Sequence, residues 1–422
     1  MKHSWISAFL VWPGLVMAQE DQFWPDYDLI GLSTDIGASF IVQPDQPDIG
    51  GARIGLSGAI LLNQSSERPL FLEFGLSHSN GSSQDRTSQM VAADIPFVFA
   101  TRVTPTGNLS LNTLFDASGA SATAIVSFTD TSGDSLSITS TTFSPPDGQT
   151  SVFATSPSEE GGAFTSVVTD GTAGIATAVG AFYDDSGAAF LGTGTGGDTS
   201  IATGRRDAVD FTDATLQLSS VFAVNDTWNM APRVGLLLQR FDRSTTLSNT
   251  IDVADGFAAE QPTPDFVMTQ ATDLRSDMIG LSFGMGLSRQ LSQDWYMSFG
   301  ADLGTMYRKT DYTSQESVLF DQSQIQRISG PGGSDTGSAN LARLSMGLSH
   351  QFAQGGIISV NIYADMLTDI PYLERVDLLA PAPMISGDDV TLDLSGQTNQ
   401  DLRIRYGDLR NTGIMIGFLW AY

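Results

Sequence analysis

The stretch Asp277-Met-Ile-Gly-Leu-Ser-Phe-Gly-Met-Gly-Leu-Ser-Arg-Gln290 decides the fold of this chain. Ile279, Leu281, Phe283, Met285 and Leu287 occupy every second position, and Gly280, Ser282, Gly284, Gly286 and Ser288 fill the places between. A helix would scatter these residues around its axis. Period two sorts them onto opposite faces of a strand, one greasy and one small and polar. In a soluble sandwich the greasy face turns to a core; in a membrane barrel it turns to lipid and the polar face lines the interior.

The same sorting recurs in both directions from this stretch. Ile30, Leu32, Ile36, Ala38 and Phe40 alternate with Gly31, Ser33, Asp35, Gly37 and Ser39. Ile54, Leu56, Ile60 and Leu62 alternate with Arg53, Gly55, Ser57 and Ala59, and Leu70, Leu72, Phe74 and Leu76 with Glu73, Gly75 and Ser77. Further runs lie near 213–224, 230–245, 295–312, 339–352, 357–370 and 404–422, which with 275–290 makes ten well-phased strands. The fold expected is all-β: a transmembrane antiparallel β-barrel of about ten strands, with twelve as the alternative, and a large β-rich extracellular insertion.

The connectors give the topology. Gaps at 63–69, 225–228, 291–294 and 353–356 are short, whereas those after the third, fifth, seventh and ninth strands run to tens of residues. Such alternation is what an outer-membrane barrel shows, with tight periplasmic turns and long outer loops. Trp228 and Trp295 sit at short turns, where an indole can rest at the headgroup level.

The last segment, Thr412-Gly-Ile-Met-Ile-Gly-Phe-Leu-Trp-Ala-Tyr422, sets Ile414, Ile416, Phe418, Trp420 and Tyr422 at every second position. It resembles the C-terminal β-signal of Gram-negative outer-membrane proteins, a class that more often ends in Phe. The resemblance implies reading by the barrel-assembly machinery and singles out no one barrel family. At the other end, Lys2 and His3 precede an apolar run over 5–16 and the small-residue pattern Val16-Met17-Ala18, so residues 1–18 read as a cleaved signal peptide. Barrel strands one to three are then expected in 19–81, the insertion in 82–209 and strands four to ten in 210–422.

The formal charge is −27, or −28 once Lys2 is removed, and Lys2 and Lys309 are the two lysines. That balance argues against nucleic acid and anionic lipid as partners. With no Cys there is neither a disulfide framework nor a lipoprotein anchor. The segment 82–209 differs in character: rich in Ser, Thr, Gly and Ala, it carries four Arg against thirteen Asp or Glu. Strand-like pieces at 95–100, 109–115, 123–129, 135–142 and 165–169, with a hairpin turn at 130–134, leave three readings open: an extracellular β-rich domain, further barrel strands, or a plug in the lumen.

On the assigned faces Asp35, Glu73, Asp302 and Asp365 point inward, as do Arg53, Arg233, Arg308 and Arg343. Opposed charges of this kind line porin filters; they equally fill a small closed barrel as internal salt bridges. Inward Gly, Ser and Ala are expected to leave space for water or an inserted loop. Two histidines follow the signal. Ser77-His78-Ser79-Asn80-Gly81 is partly similar to the active-site segment of outer-membrane phospholipase A, although His78 and Ser79, being adjacent, face opposite ways in a regular strand. His350, in phase with Leu344, Met346 and Leu348, reads as an interfacial residue. The acidic pairs Asp184-Asp185 and Asp388-Asp389 read as solvated loop charge, without the spacing of a calcium loop.

No cofactor or metal is expected, and no enzyme. The leading functional expectation is a porin-like passive channel for small solutes. The alternative is a display or adhesion barrel whose acidic insertion binds a partner, with an acyl hydrolase as a minor third. Partners expected are outer-membrane lipid and lipopolysaccharide, the assembly machinery and small-solute cargo.

Overall fold

The computed structural model describes residues 29–63, 69–90, 97–102, 108–115, 121–129, 135–143, 148–155, 161–169, 174–184, 187–195, 199–225, 227–253, 266–320, 323–329, 332–352, 356–375, 384–386, 389–393 and 402–420. Residues 1–18, the hairpin turn at 130–134, Asp185, Asp388 and Tyr422 lie outside them.

Ten strands make the barrel: β1 Leu29–Val42, β2 Ile49–Asn63, β3 Leu70–Met90, β4 Thr199–Ser220, β5 Trp228–Val253, β6 Phe266–Gln290, β7 Trp295–Phe320, β8 Gly333–Gln351, β9 Gly356–Arg375 and β10 Leu402–Trp420. Every neighbour is antiparallel, and β1 pairs β10 with Ile36 opposite Ile416, so the sheet closes and leaves no edge. Phe222–Asn225 returns onto the start of β5, and Ser323–Ser329 onto the end of β7. The structure thus has ten barrel strands rather than twelve.

The period-two pattern survives as two distinct faces. Ile36, Phe283, Leu303 and Leu344 point outward and are 62–66% exposed despite being apolar, within a belt of such residues around the wall. Side chains of this size left out of the core fit lipid, not water, so the barrel is transmembrane. His350 lies at the short-turn margin of this belt, its ring 4.8 Å from that of Trp295 and 5.0 Å from that of Phe352. The aromatic girdle expected there is present.

β5, β6 and β7 are 26, 25 and 26 residues long, whereas about 9–11 residues cross a bilayer. The excess projects beyond the belt on the side of the long connections. β3 and β4 likewise run past residues 82 and 209 before they part.

Between β3 and β4, and again between β9 and β10, the chain builds two further sheets. One orders Phe97–Arg102, Gly187–Thr195, Gly174–Asp184, Gly161–Thr169 and Gly148–Thr155; the other orders Met384–Ser386, Asp389–Asp393, Asn108–Phe115, Ser121–Thr129 and Ser135–Phe143. They pack face to face. Thr165, wholly buried, accepts or donates hydrogen bonds with Ser140 (2.8 Å) and Thr142 (2.7 Å) across the gap. The second sheet contains a hairpin from the β9–β10 connection, so two segments nearly 300 residues apart share one sheet. Of the three readings for the insertion, a separate β-rich unit is the one seen; among the described residues it supplies neither barrel strands nor a plug.

Candidate functional site

The barrel interior is stratified. At mid-belt the inward charges pair between neighbouring strands and across the lumen. Arg233 grips Asp302 with two hydrogen bonds of 2.7 Å each. Arg343 bonds Asp365 at 2.7 Å and also Asp213, while Arg53 stands 3.6 Å from Asp365 and lies over the Tyr363 ring. Glu73 accepts a hydrogen bond from the Ser219 hydroxyl. Nearer the outer end of β7, two residues beyond Met306, Arg308 reaches Asp335 at 2.9 Å and the backbone carbonyl of Asp369. Asp35 lies across Gly417. All eight charges assigned to the lumen face inward, and most are paired with one another. Asp213 was not singled out from the sequence, although it stands in phase with inward Thr215 and Gln217.

The small inward residues leave less space than expected, for a geometric reason. A strand carrying Gly inward lets the long side chain of its neighbour lie flat across it. A Cβ on Gly284 would meet the carboxylate of Asp302, and one on Gly300 would lie 3.0 Å from an Arg233 guanidinium nitrogen. Glycine is required there because the ion pair occupies its side-chain volume. Gly284→Ala is therefore expected to lower stability by about 1–3 kcal/mol, read from denaturant midpoints in detergent; an unchanged midpoint would count against this packing. The cavity left between Ser57, Glu73, Gln217, Arg233, Asp302 and Arg343 is about 50 Å³, room for a few waters.

Toward the outer edge of the belt the lumen turns apolar. Buried side chains from every strand but β3, among them Ile41, Phe211, Leu237, Phe241, Met306 and Leu367, form one cluster across the barrel. Ile41 neighbours lipid-facing Phe40, and Leu237 neighbours lipid-facing Leu238, so the layer sits level with the belt's outer margin. The open charged filter expected from the sequence is thus a paired network beneath a greasy floor.

The short β1–β2 connection folds over this floor. Buried Gln43 donates to the backbone carbonyls of Ile370 (3.3 Å) and Pro371 (3.4 Å) and accepts from Arg243 (3.1 Å). Gln46 accepts from Arg205 at 2.9 Å, and Tyr372 donates to Asp45 at 3.1 Å. Asp207, beyond the belt on β4, joins Arg205, Arg243 and Thr245. Burial pushes its carboxyl up, but hydrogen bonds from Arg205 and Thr245 and the charge of Arg243 hold it below the usual carboxylate range.

On the outer wall, His78 does not meet Ser79, which is fully buried inside. Its Nδ1 lies 3.1 Å from the Thr212 hydroxyl, and its Nε2 lies 3.5 Å from an Asp210 carboxylate oxygen. The sequence offered no partner for His78, since both partners lie more than 130 residues away.

At the C-terminus Ile414, Ile416 and Phe418 face lipid, and Trp420 ends β10.

No protein-family model matches the chain, and no curated protein matches it. Among solved structures, the outer membrane protease OmpT from Escherichia coli is 8% identical over 79% of this chain and 98% of its own, with a TM-score of 0.28. The toluene transporter TodX of P. putida is 10% identical over 95% and 91%, with a TM-score of 0.24. A FadL homologue of Pseudomonas aeruginosa is 8% identical over 94% and 90%, with a TM-score of 0.22. Likeness at these scores says nothing about chemistry or cargo.

Proposed function

We propose that the barrel is a closed anchor in the bacterial outer membrane and that the two-sheet unit above it is a surface displayed to a partner outside the cell. The observation that carries this reading is the apolar cluster drawn from nine of the ten strands, which lies across the lumen at the outer margin of the belt. A porin-like channel for small solutes needs a wet path at that level; packed Phe, Leu and Met side chains oppose one. The insertion carries little positive charge, which suits it to a cationic or divalent-bridged partner, including the lipopolysaccharide layer around it. Export through a signal cleaved after residue 18, and insertion by machinery that reads the final strand, belong to the same reading.

The test uses the absence of native cysteine. Thr139→Cys, exposed on the second sheet, is expected to react with a membrane-impermeant maleimide on intact cells. Gln293→Cys, at a short turn, should react only after the outer membrane is opened. Labelling in the reverse order, or of both sites on intact cells, would overturn the display reading.

A further inference from the structure

The lipid-facing wall holds one group of side chains that neither the anchor nor the displayed unit uses. His78 on β3 stands opposite Thr212 on β4, and Thr212 stands opposite Arg240 on β5, so the three form a cross-strand row. The next row toward the short turns is Leu76, Ala214 and Leu238, the margin of the apolar belt; the next row outward is Asn80, Asp210 and Asp242. The row with His78 is therefore the first polar one above the hydrocarbon. In a bilayer that is the depth at which acyl chains join their headgroups through ester bonds.

The contacts fall on the two ring nitrogens of His78. Nε2 lies 3.5 Å from an Asp210 carboxylate oxygen, and in the tautomer protonated on that side Nδ1 is the bare nitrogen. Nδ1 lies 3.1 Å from Thr212 Oγ1, within reach of its proton. A hydroxyl within hydrogen-bonding distance of an imidazole whose other nitrogen faces a carboxylate is the arrangement of an activated nucleophile. The His78 side chain is 15% exposed and that of Asp210 55%, so the group opens toward lipid and headgroup and not into the lumen.

We propose that Thr212, His78 and Asp210 form an ester-hydrolysing site on the outer wall of the barrel, acting on acyl esters of the lipids that meet this row. Thr212 Oγ attacks the ester carbonyl carbon while its proton passes to His78 Nδ1. The carbonyl oxygen takes up negative charge, and the guanidinium of Arg240, itself held by Asp277 at 2.6 Å, is the cation in the same row. Collapse breaks the bond to the alcohol oxygen, which leaves with the proton from His78 and leaves the acyl group esterified to Thr212. Water, giving its proton to His78, then cleaves that ester, and the proton returns to Thr212. The balance is ester plus water to fatty acid plus alcohol, with no further reactant. Asp210 is a positioning residue.

The experiment uses the full-length protein with lipid vesicles of two kinds, one of diacyl glycerophospholipid and one containing an acylated glucosamine glycolipid, with fatty-acid release as the readout. The parent is expected to release fatty acid from at least one kind, and the kind names the substrate. A fluorophosphonate probe should place its adduct on Thr212. Thr212→Val and His78→Ala are each expected to lower release by about 10²–10⁴-fold, with Thr212→Ser retaining it. Asp210→Asn should lower release less and move the acid limb of its pH profile. Unchanged thermal unfolding shows that the variants fold, and should His78→Ala not fold, the Thr212→Val and Thr212→Ser pair decides alone. Neither release nor labelling by the parent on either vesicle overturns the proposal, as does activity that survives in a folded Thr212→Val.

Discussion

Arg343→Met is expected to destabilise the barrel by about 3–5 kcal/mol, one of the two largest effects available to a lumen substitution. Arg343 is the cation shared by Asp213 and Asp365, whose side chains are both 0% exposed. Methionine keeps most of the volume but leaves two carboxylates without their partner. Arg53, 3.6 Å from Asp365, compensates one of them in part, and Asp213 has no such second guanidinium among the described residues. The measurement is the denaturant midpoint of the refolded protein in detergent or vesicles. Adding Asp213→Asn and Asp365→Asn should restore most of the loss, because removing the whole set costs less than orphaning part of it. A loss below about 1 kcal/mol, on the scale of an exposed pair, would show that these carboxylates are solvated.

The second large effect concerns conduction. In planar bilayers the parent barrel is expected to be electrically silent, and the double variant Phe241→Ala with Met306→Ala to conduct small ions. Both side chains are fully buried in the apolar floor, and neither contributes to the hydrogen bonds of the barrel wall. Phe241→Ala alone should cost about 3–5 kcal/mol, which the closed ladder is expected to withstand. Gln43→Ala, which unfastens the overlying loop, should leave the barrel silent by itself. A parent that conducts as freely as the double variant would remove the floor as the barrier and with it the anchor reading.

How much of this was legible in the sequence differs by feature. The ten strands and the inward set of charges followed from period two, because face is a local property of a strand. Which charge meets which is not local: Arg343 and Asp213 lie 130 residues apart, and Arg53 and Asp365 more than 300. The floor did leave a trace. At Leu236-Leu237-Leu238 the alternation fails and both faces turn apolar, since the outer face meets lipid and the inner one meets the floor. On β4 the floor shows instead as a reversed pattern, with inward Val209 and Phe211 beside outward Asp210 and Thr212. In the two-sheet unit, Gly174–Asp184 and Gly187–Thr195 are not legible as strands because Gly, Ala and Thr contrast weakly in polarity. The pairing of His78 with Thr212 required the register of β3 against β4.

The hairpin Met384–Asp393, laid along Asn108–Phe115, also dictates an order of events. The strand that will hold it is synthesised early, and the hairpin arrives only with the last connection of the barrel. β10 follows directly and closes the wall against β1. Completion of the outer unit and closure of the barrel are therefore one late, coupled step in assembly. A chain that stalls before residue 384 carries two raw sheet margins at once, one along β1 and one along Asn108–Phe115, each able to recruit another unfinished chain.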